Sequence, residues 1–307
     1  YASRGCYYRC GFCQICEFYR LQPGQPYRAR SPQNIADEVE KLVRDHGVRY
    51  ILFVDDDFFG AGQRGKERVG AIAEEFIGRG LDFTFGMQCR VDNVDRVLFS
   101  RLKEAGLVAV FLGIESSIDR VLQDYNKQTN GDLNKSAITI VTDLGVKLIA
   151  GSIIFDALTT MDELKQTTQF FREHRAAIPP ALHELVLLRG TALERTYRRQ
   201  NLVRESGFTL KYRIEDPVLL RFSHLVSPQY HRVYGPTIAE LYRMYFLYAQ
   251  FNSETRHRLR GVLDEVEDQV RRLHLKFLER TIGHLESGDT EAPPAYLNCL
   301  EQEYSQV

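Results

Sequence analysis

The sequence predicts an α/β fold, a partial barrel of about six βα units followed by a helical extension. Short apolar runs, typical of buried strands, alternate with amphipathic stretches at helical spacing over the first two-thirds of the chain. Strands and helices that alternate in this way form right-handed βαβ units around a parallel sheet. After about Pro236 the pattern changes to long amphipathic segments, which predict the helical extension.

Five apolar runs are the candidate strands, and one more strand is expected to lead into Cys6. Six units are too few for the eight of a closed barrel, so we expect an open or partial (β/α)6 TIM-like barrel. In either form, ligands bind at the carboxyl ends of the strands. The run at 83–89 alternates more loosely than the others. The five runs lie at 50–54, 83–89, 107–112, 147–155 and 182–188.

Helix start signals separate the candidate strands. Ser31 is a candidate N-cap followed by proline, and the stretch from Thr160 to Glu163 has the pattern of a capping box. Apolar residues at helical spacing across 262–277 predict one long helix in the extension. We therefore divide the chain into a barrel core, residues 1–200, and a substrate-side and helical region, residues 201–307.

Composition narrows the class of partner. The 307 residues carry a formal charge of −1, which gives no indication of a nucleic acid or an anionic membrane as partner. No apolar run reaches the length of a bilayer span, so we expect a cytoplasmic protein. The chain begins with Tyr1 rather than Met and reaches a cysteine within a few residues. The question of an upstream domain outside this chain is therefore left open.

The stretch "SRGCYYRCGFCQICEFY" contains four of the six cysteines of the chain. Cys6, Cys10 and Cys13 form a C-x3-C-x2-C pattern in one loop after the first expected strand. Three thiolates can hold three irons of a [4Fe–4S] cluster and leave the fourth iron open, and an open coordination position is typical of catalytic metal sites. The alternative is a zinc site that also uses Cys16, although zinc ligands usually come as two separated pairs.

The cysteine spacing, with Phe12 directly before the third cysteine, resembles the radical S-adenosylmethionine (radical SAM) superfamily, and "GSIIFDALTTMDEL" resembles the fifth-strand motif of its cobalamin-associated lineage. The resemblance implies a [4Fe–4S] cluster on Cys6, Cys10 and Cys13 and SAM as a co-substrate. It also implies reductive cleavage of SAM to a 5′-deoxyadenosyl radical, with electrons from a flavodoxin or ferredoxin type of donor. None of the eight histidines lies in the Asp-x-His-x-x-Gly cobalamin motif. Cobalamin would therefore have to be held by an upstream domain.

Further motifs at the expected strand ends extend the resemblance to about Glu194. "FVDDDFFG" matches the position of the motif for the SAM amino group, although a divalent-metal site or a polar loop is the alternative for three aspartates. "QCRVDNVD" matches a segment near the SAM carboxylate or the substrate, "GIESS" matches one near the SAM ribose or amino group, and "GSIIFDALTTMDEL" matches one beside adenine. The residues that the resemblance assigns to cofactor binding are Phe12, Asp55, Asp56, Asp57, Arg90, Glu115, Ser152 and Ile154.

The run "CYYRCGFCQICEFY", which includes the cluster motif, resembles the radical SAM diol dehydratases of aminoglycoside biosynthesis. This implies an aminoglycoside substrate, an NAD(P)H-dependent reductase as partner, and Cys16, Glu17 and Tyr19 as candidate acid, base or hydrogen donor. The alternative is that these three side chains pack or form ion pairs. A polycationic sugar also favours acidic neighbours. The candidates are Asp56, Asp57, Glu184 and Asp216.

Two other functions remain open from the sequence. A cobalamin-dependent radical SAM methyltransferase would release S-adenosylhomocysteine and need a corrinoid, whereas the dehydratase consumes SAM and needs an external electron. An iron–sulfur electron-transfer module would hold a cluster without radical chemistry, but such carriers favour ligation by four cysteines.

Overall fold

A computed structural model describes residues 1–21, 23–174, 177–178, 184–288, 297 and 303. Its centre is a five-stranded parallel sheet with the order β3-β4-β5-β6-β7. Two antiparallel pairs, β1 with β2 and β8 with β9, lie outside this sheet. The strands are β1 (Ser3–Gly5), β2 (Tyr27–Ala29), β3 (Tyr50–Leu52), β4 (Thr84–Arg90), β5 (Leu107–Glu115), β6 (Lys147–Ser152), β7 (Ala177–Ile178), β8 (Val203–Ser206) and β9 (Thr209–Tyr212).

Helices follow most strands of the parallel sheet and form the carboxyl-terminal region, which confirms the predicted partial barrel with a helical extension. Ser31 caps α2 by accepting from the Asn34 amide at 3.2 Å, and Thr160 and Glu163 form the expected capping box of α7. The helices are α1 (Ile15–Arg20), α2 (Pro32–His46), α3 (Gly62–Gly78), α4 (Arg96–Glu104), α5 (Asp119–Asp124), α6 (Gly131–Asp143), α7 (Met161–Glu173), α8 (Ala192–Arg199), α9 (Pro217–Gln229), α10 (Gly235–Gln250) and α11 (Ser253–Glu286).

Alternation along the strands gives the parallel sheet two different faces. On β4, Phe85, Met87 and Cys89 are buried in the main hydrophobic core against the surrounding helices. The opposite face carries small residues such as Gly86 and Ala109, and α10 lies across it. These small side chains leave open space between the sheet and α10, and the candidate site lies at one end of that space.

An aromatic cluster fixes the first two parallel strands against α3. Phe76 packs edge to face on Phe83 and Phe85, with ring centroids 5.2 and 5.7 Å apart. Phe53, which follows β3, packs on Phe58 at 5.0 Å. Buried aromatic pairs of this kind contribute about 0.5–1.5 kcal/mol each beyond area burial. The loop after β3, which contains Asp55 to Asp57, is therefore held between well-packed residues.

Two of the expected strands differ in the structure. The strand that leads into Cys6 pairs antiparallel with β2 rather than joining the parallel sheet. Of the expected strand at 182–188, residues 182–183 lie outside the described residues. Glu184 makes a single parallel bridge with Phe155, and 185–188 are not in a strand. No helix in the described part of the chain combines the length and the apolar character that a bilayer span requires.

Candidate functional site

The three cysteines of the motif lie in one loop between β1 and α1. Cys13 donates its amide to the Cys10 carbonyl at 3.1 Å, which closes a tight turn. The loop is fixed from two sides through Gly11, whose amide donates to the Tyr125 carbonyl at 2.6 Å and whose carbonyl accepts from the Leu193 amide at 2.8 Å. The cysteine loop is therefore attached both to α5 and to the start of α8.

The thiols of this loop are held in an environment that disfavours their charge. Burial raises the pKa of Cys6 to about 12 and also raises the pKa of Cys10 and of Cys13. Neighbouring thiols raise the pKa of Cys6 and of Cys13 further, because adjacent thiolates repel one another. Thiols that bind a metal lose their protons, and the positive charge of the metal compensates the thiolates. The donor set therefore fits a cationic metal cluster.

The candidate metal-binding side chains of this region do not converge on a single point. Among the described residues, no three His, Cys, Asp or Glu side chains converge on one ion, so neither the zinc alternative nor a metal site at the aspartates has a preformed site. A [4Fe–4S] cluster makes a different demand, because each thiolate ligates its own iron. Cys10 and Cys13 lie near enough to Cys6 to raise the pKa of its thiol, whereas Cys16 is buried in α1.

The three aspartates after β3 have different surroundings. Asp55 is fully buried and accepts from the Ala2 amide at 3.2 Å and the Ser3 hydroxyl at 2.6 Å. Asp56 accepts from the Gly5 amide at 3.0 Å. These two carboxylates therefore attach β1 to the end of β3.

Asp57 is the aspartate that faces the cysteine loop. Its Oδ1 accepts from the Phe59 amide at 3.3 Å, and its Oδ2 is buried without a hydrogen-bond partner in the described structure. Burial raises the pKa of Asp57 to about 6, and Arg90 opposes that shift. An orphaned buried carboxylate oxygen is rare, and it can accept a hydrogen bond from an ammonium group.

Arg90, at the end of β4, lies directly beside the cysteine loop. It donates to both carboxylate oxygens of Asp92, at 2.9 and 3.2 Å, and to the Lys127 carbonyl at 2.6 Å. Another guanidinium nitrogen lies 3.6 Å from the Cys10 sulfur. The same group stacks on the Tyr8 ring at 3.7 Å from its centroid, so several contacts fix its orientation.

Glu115 and Lys127 form a buried ion pair, with 2.7 Å between Oε1 and Nζ. Glu115 ends β5 at an irregularity after Gly113 and has φ 61°, a left-handed conformation that is uncommon for residues other than glycine. Such strained backbone occurs often at functional sites. Lys127 lowers the pKa of the Cys10 and Cys13 thiols, against the larger effect of burial.

The segment after β6 completes this end of the sheet. Ser152 donates its hydroxyl to the Glu115 carbonyl at 3.2 Å, and the Ile153 amide donates to the same oxygen at 2.7 Å. Ile154 is buried in the main core, whereas Ile153 lines the open space beside the cysteines. Ser152 and Ile153 both line that space, so these two residues can contact a cofactor directly.

A cavity of about 750 Å³ lies between these residues and α10. It reaches from Cys13 to Glu184, across the strand ends of β5 and β6. Burial raises the pKa of Glu184, although Lys211 opposes the shift and the side chain stays accessible from the cavity. Residues that line the cavity include Phe12, Cys13, Gln14, Glu115, Ser152, Ile153, Glu184, Ile238 and Tyr242.

The predicted catalytic residues lie on or beside α1. Cys16 is buried, and the carboxylate of Glu17 lies 3.6 Å from the Arg195 guanidinium. Tyr19 packs edge to face on Phe18, with centroids 5.4 Å apart. None of these three side chains lines the cavity. Asp216, predicted as an acidic neighbour of the substrate, instead caps α9 by accepting from the Leu219 amide at 2.7 Å. Their catalytic roles stay predictions.

Lys127 is the site residue that the sequence analysis missed. It lies in a turn in which Asn126 and Gln128 both adopt left-handed conformations, with φ 48° and 58°. Asparagine tolerates that conformation and often ends helices, which gives a weak signal for a turn after α5 but none for a buried lysine. The Asn126 side chain also donates to the Arg9 carbonyl at 2.8 Å, which connects this turn to the cysteine loop.

Comparisons with known proteins agree with this geometry. Residues 1–171 match the radical SAM superfamily. Two similar relatives are the anaerobic magnesium-protoporphyrin IX monomethyl ester cyclase of Cereibacter sphaeroides and the 4′-phospho-dehydrooxetanocin synthase of Priestia megaterium. The first is 32% identical over 54% of this chain and 26% of the relative. The second is 26% identical over 73% of this chain and 31% of the relative.

Two solved structures have similar folds. The cobalamin-dependent SAM radical enzyme OxsB, with aqua-cobalamin and SAM bound, matches with a TM-score of 0.64 and 18% identity over 99% of this chain and 57% of its own. The radical SAM methyltransferase TsrM of Kitasatospora setae, with cobalamin and a [4Fe–4S] cluster, matches with a TM-score of 0.56 and 16% identity, over 67% of this chain and 40% of its own.

The chain is a member of the radical SAM superfamily, since the match covers more than half of its residues. It spans about a quarter to a third of the length of the two curated relatives described above. The family implies a [4Fe–4S] cluster and SAM, and the three thiols of the cysteine loop and the unpaired Asp57 oxygen fit these two groups.

Proposed function

We propose that this chain is the catalytic core of a radical SAM enzyme that binds SAM and its substrate in the cavity beside Cys13. The observation that carries the proposal is the position of the three-cysteine loop at the carboxyl ends of the parallel strands, where Cys13 lines a cavity of about 750 Å³. Cys6, Cys10 and Cys13 would hold the cluster. When bound and reduced, the cluster supplies the electron that cleaves SAM to methionine and a 5′-deoxyadenosyl radical.

The residues around the loop provide partners for each polar part of SAM. The unpaired Asp57 Oδ2 can accept from the amino group, and the cationic Arg90 can attract the carboxylate. Glu115 and Ser152 line the cavity and offer oxygens to the ribose hydroxyls. Phe12 and Ile153 provide apolar surface for the adenine ring. Held in this way, the reactive carbon would face the cavity, where a substrate C–H group can approach it.

For the reaction itself we propose dehydration of a vicinal diol in an aminoglycoside, with paromamine as the substrate to test. Loss of a hydrogen atom from C4′ and of the proton of its hydroxyl allows the neighbouring 3′-hydroxide to leave. One further electron and proton give a 4′-ketone. Glu184 supports this proposal, because a carboxyl with a raised pKa in the cavity can take the hydroxyl proton and return it to the leaving hydroxide. An NAD(P)H-dependent reductase would then reduce the ketone.

A second candidate function is cobalamin-dependent methyl transfer. It is supported by the fold similarity to OxsB and TsrM, two enzymes with cobalamin bound, of which TsrM is a methyltransferase. This chain would then supply the SAM and cluster site, and the corrinoid would bind to a segment outside it.

The experiment that tests these proposals is an anaerobic reaction of the reconstituted protein with SAM, dithionite and paromamine, followed by mass spectrometry. Dehydration predicts 5′-deoxyadenosine together with a sugar that is lighter by one water. Deoxyadenosine with unchanged sugar would refute the substrate and keep radical SAM cleavage. S-adenosylhomocysteine and a methylated product that appear only after hydroxocobalamin is added would favour methyl transfer instead.

The role of Glu184 is tested in the same assay with matched variants. Glu184→Gln should lower the yield of dehydrated sugar by about 10²-fold or more, while SAM cleavage continues. Glu205→Gln is the control, because Glu205 is an exposed carboxylate of the β8–β9 pair that does not line the cavity. Equal yields from both variants would refute the acid–base role of Glu184.

A further inference from the structure

A second cavity, of about 860 Å³, lies beside the β8–β9 pair and adjoins the candidate site. Glu184, Leu185 and Val186 line both this cavity and the one beside Cys13. The other residues that line the second cavity come from the β8–β9 pair, from the segment after β9 and from α9. Glu184 can therefore contact groups in either cavity.

Two basic residues lie directly opposite each other in the β8–β9 pair. Arg204 and Lys211 are register partners, and both line the second cavity. Like charges at opposite positions of a strand pair destabilise it. In the part of the chain that the structure describes, neither side chain forms an ion pair, whereas Glu205 of the same strand pairs with Arg198. We call Arg204 and Lys211 the basic pair.

The strand pair that carries these cations is anchored to the rest of the protein. Val203 and Tyr212, the next register partners, pack against the hydrophobic cluster around Tyr197, and the rings of the two tyrosines are 5.8 Å apart at their centroids. The Arg213 amide donates to the Leu202 carbonyl at 2.7 Å, directly after the last register partners. The basic pair therefore lies on a fixed hairpin rather than on a free loop.

The second cavity also contains a hydroxyl group without a partner. Tyr212 lines the cavity, and in the described structure its hydroxyl is buried and makes no hydrogen bond. A buried polar group without a partner is rare and costs free energy. A phenol hydroxyl donates well to an anionic oxygen. Tyr212 can therefore add a hydrogen bond to an anion that the basic pair attracts.

Lys211 connects the basic pair electrostatically to Glu184. Burial raises the pKa of Glu184, and Lys211 is the charge that most opposes this shift. A charge that changes the pKa of a carboxyl group in this way lies near it. A polycationic sugar alone would favour acidic residues at this position rather than two unpaired cations. The second cavity therefore favours a sugar that also carries an anionic group.

We propose that the basic pair binds a phosphate ester carried by the sugar whose diol is dehydrated at Glu184. The proposal rests on the proposed function, because it names a further group of that same substrate. The Cβ atoms of opposite residues in an antiparallel pair are about 4.5–5.5 Å apart, so both cations can contact one phosphate. A phosphate ester offers three acceptor oxygens, which suit two cations and the Tyr212 hydroxyl together.

Isothermal titration calorimetry of the reconstituted protein with SAM tests the proposal through binding. The ligands are glucosamine 6-phosphate and glucosamine, which differ only in the phosphate. The Kd of glucosamine 6-phosphate should be roughly tenfold lower in the wild type, and Arg204→Gln/Lys211→Gln should remove this preference. The control is Arg64→Gln/Arg258→Gln, which removes two exposed arginines that do not line the cavity and should keep the preference.

Three results of the calorimetry would overturn the proposal. The first is an equal Kd for the two sugars in the wild type. The second is a preference that persists in Arg204→Gln/Lys211→Gln, because the phosphate would then bind elsewhere. The third is inorganic phosphate that binds as tightly as glucosamine 6-phosphate, because the basic pair would then hold an anion without recognising a sugar.

Turnover separates this proposal from the proposed function. A paromamine phosphate ester, with the phosphate outside the diol, should be dehydrated with a KM roughly tenfold lower than that of paromamine, and Arg204→Gln/Lys211→Gln should abolish the difference. Equal KM values in the wild type would overturn the phosphate proposal alone. If the wild type formed no 5′-deoxyadenosine with either sugar, the proposed function would fail, and the calorimetry would still decide whether the basic pair recognises phosphate.

Discussion

Removal of the Lys127 ammonium is the perturbation whose effect follows most directly from the structure. Lys127 and Glu115 are only 5% and 14% exposed at their side chains and lie 2.7 Å apart. Lys127→Met keeps the apolar stem but leaves the Glu115 carboxylate uncompensated inside the protein. Breaking one side of a buried ion pair costs about 3–5 kcal/mol of unfolding free energy. Because Glu115 also lines the cavity, where water can reach it, we expect Lys127→Met to destabilise the apoprotein by about 3 kcal/mol, the lower end of that range.

A double-mutant cycle separates the ion pair from other effects of the substitution. Glu115→Gln in the Lys127→Met background removes the uncompensated charge, so the double variant should be more stable than Lys127→Met alone. The control is the Arg96–Asp143 pair, which has the same 2.7 Å separation but is 53% and 51% exposed. Its coupling energy should be about 0.2–1 kcal/mol.

The assay is urea unfolding of the apoprotein under anaerobic, reducing conditions, with the transition followed by circular dichroism. The coupling energy between residues 115 and 127 should exceed that of the control pair by at least about 2 kcal/mol. Equal coupling energies for the two pairs would refute the reasoning, because burial is the main feature that distinguishes them.

Three further changes test other parts of the structure. Burial lowers the pKa of His274 from 6.5 to about 3, so the folded protein stays neutral at a site that the unfolded chain protonates. The unfolding free energy should therefore fall by about 1.4 kcal/mol for each pH unit as the pH is lowered from about 6 to 4. His274→Phe should remove that part of the pH dependence, measured by urea unfolding. The same pH dependence in both proteins would contradict this. Asp55→Asn should speed amide hydrogen exchange at Ala2 and Ser3 more than Asp56→Asn does. The reason is that Asp55 accepts several hydrogen bonds and Asp56 accepts one. Equal exchange rates in the two variants would contradict the anchoring of β1. Ser31→Ala should lower the unfolding free energy, measured by urea unfolding, by about 1 kcal/mol, because it removes the N-cap of α2. An unchanged unfolding free energy would contradict that contribution.

Helix caps and apolar runs, which are local features of the sequence, predicted the elements of the barrel. The caps at Ser31 and Thr160 follow from chemistry within one turn of helix, and the structure has both. The parallel strands follow from apolar runs that a helix-covered sheet requires. The pairing of β1 with β2 could not be predicted in this way, because the backbone amides of Ala2 and Gly5 donate hydrogen bonds to Asp55 and Asp56, more than fifty residues away.

The candidate site was predictable in its cysteines but not in its detailed contacts. The spacing of Cys6, Cys10 and Cys13 placed them in one loop, as the structure has them. The sequence could not show which of three consecutive aspartates faces the site, because that depends on the local path of the backbone after β3. Lys127 was not predictable, because its burial results from the meeting of a turn after α5 with the end of β5.

In the proposed enzyme, three cysteines hold a cluster with one open iron, to which SAM binds. The most direct measurement is the electron paramagnetic resonance spectrum of the reduced, reconstituted protein with and without SAM, in the wild type and in Cys16→Ala. Cys16 lies buried in α1, apart from the cysteine loop, so both proteins should show a [4Fe–4S] signal that changes when SAM is added. A signal that SAM leaves unchanged, or a cluster that is lost in Cys16→Ala, would contradict the account.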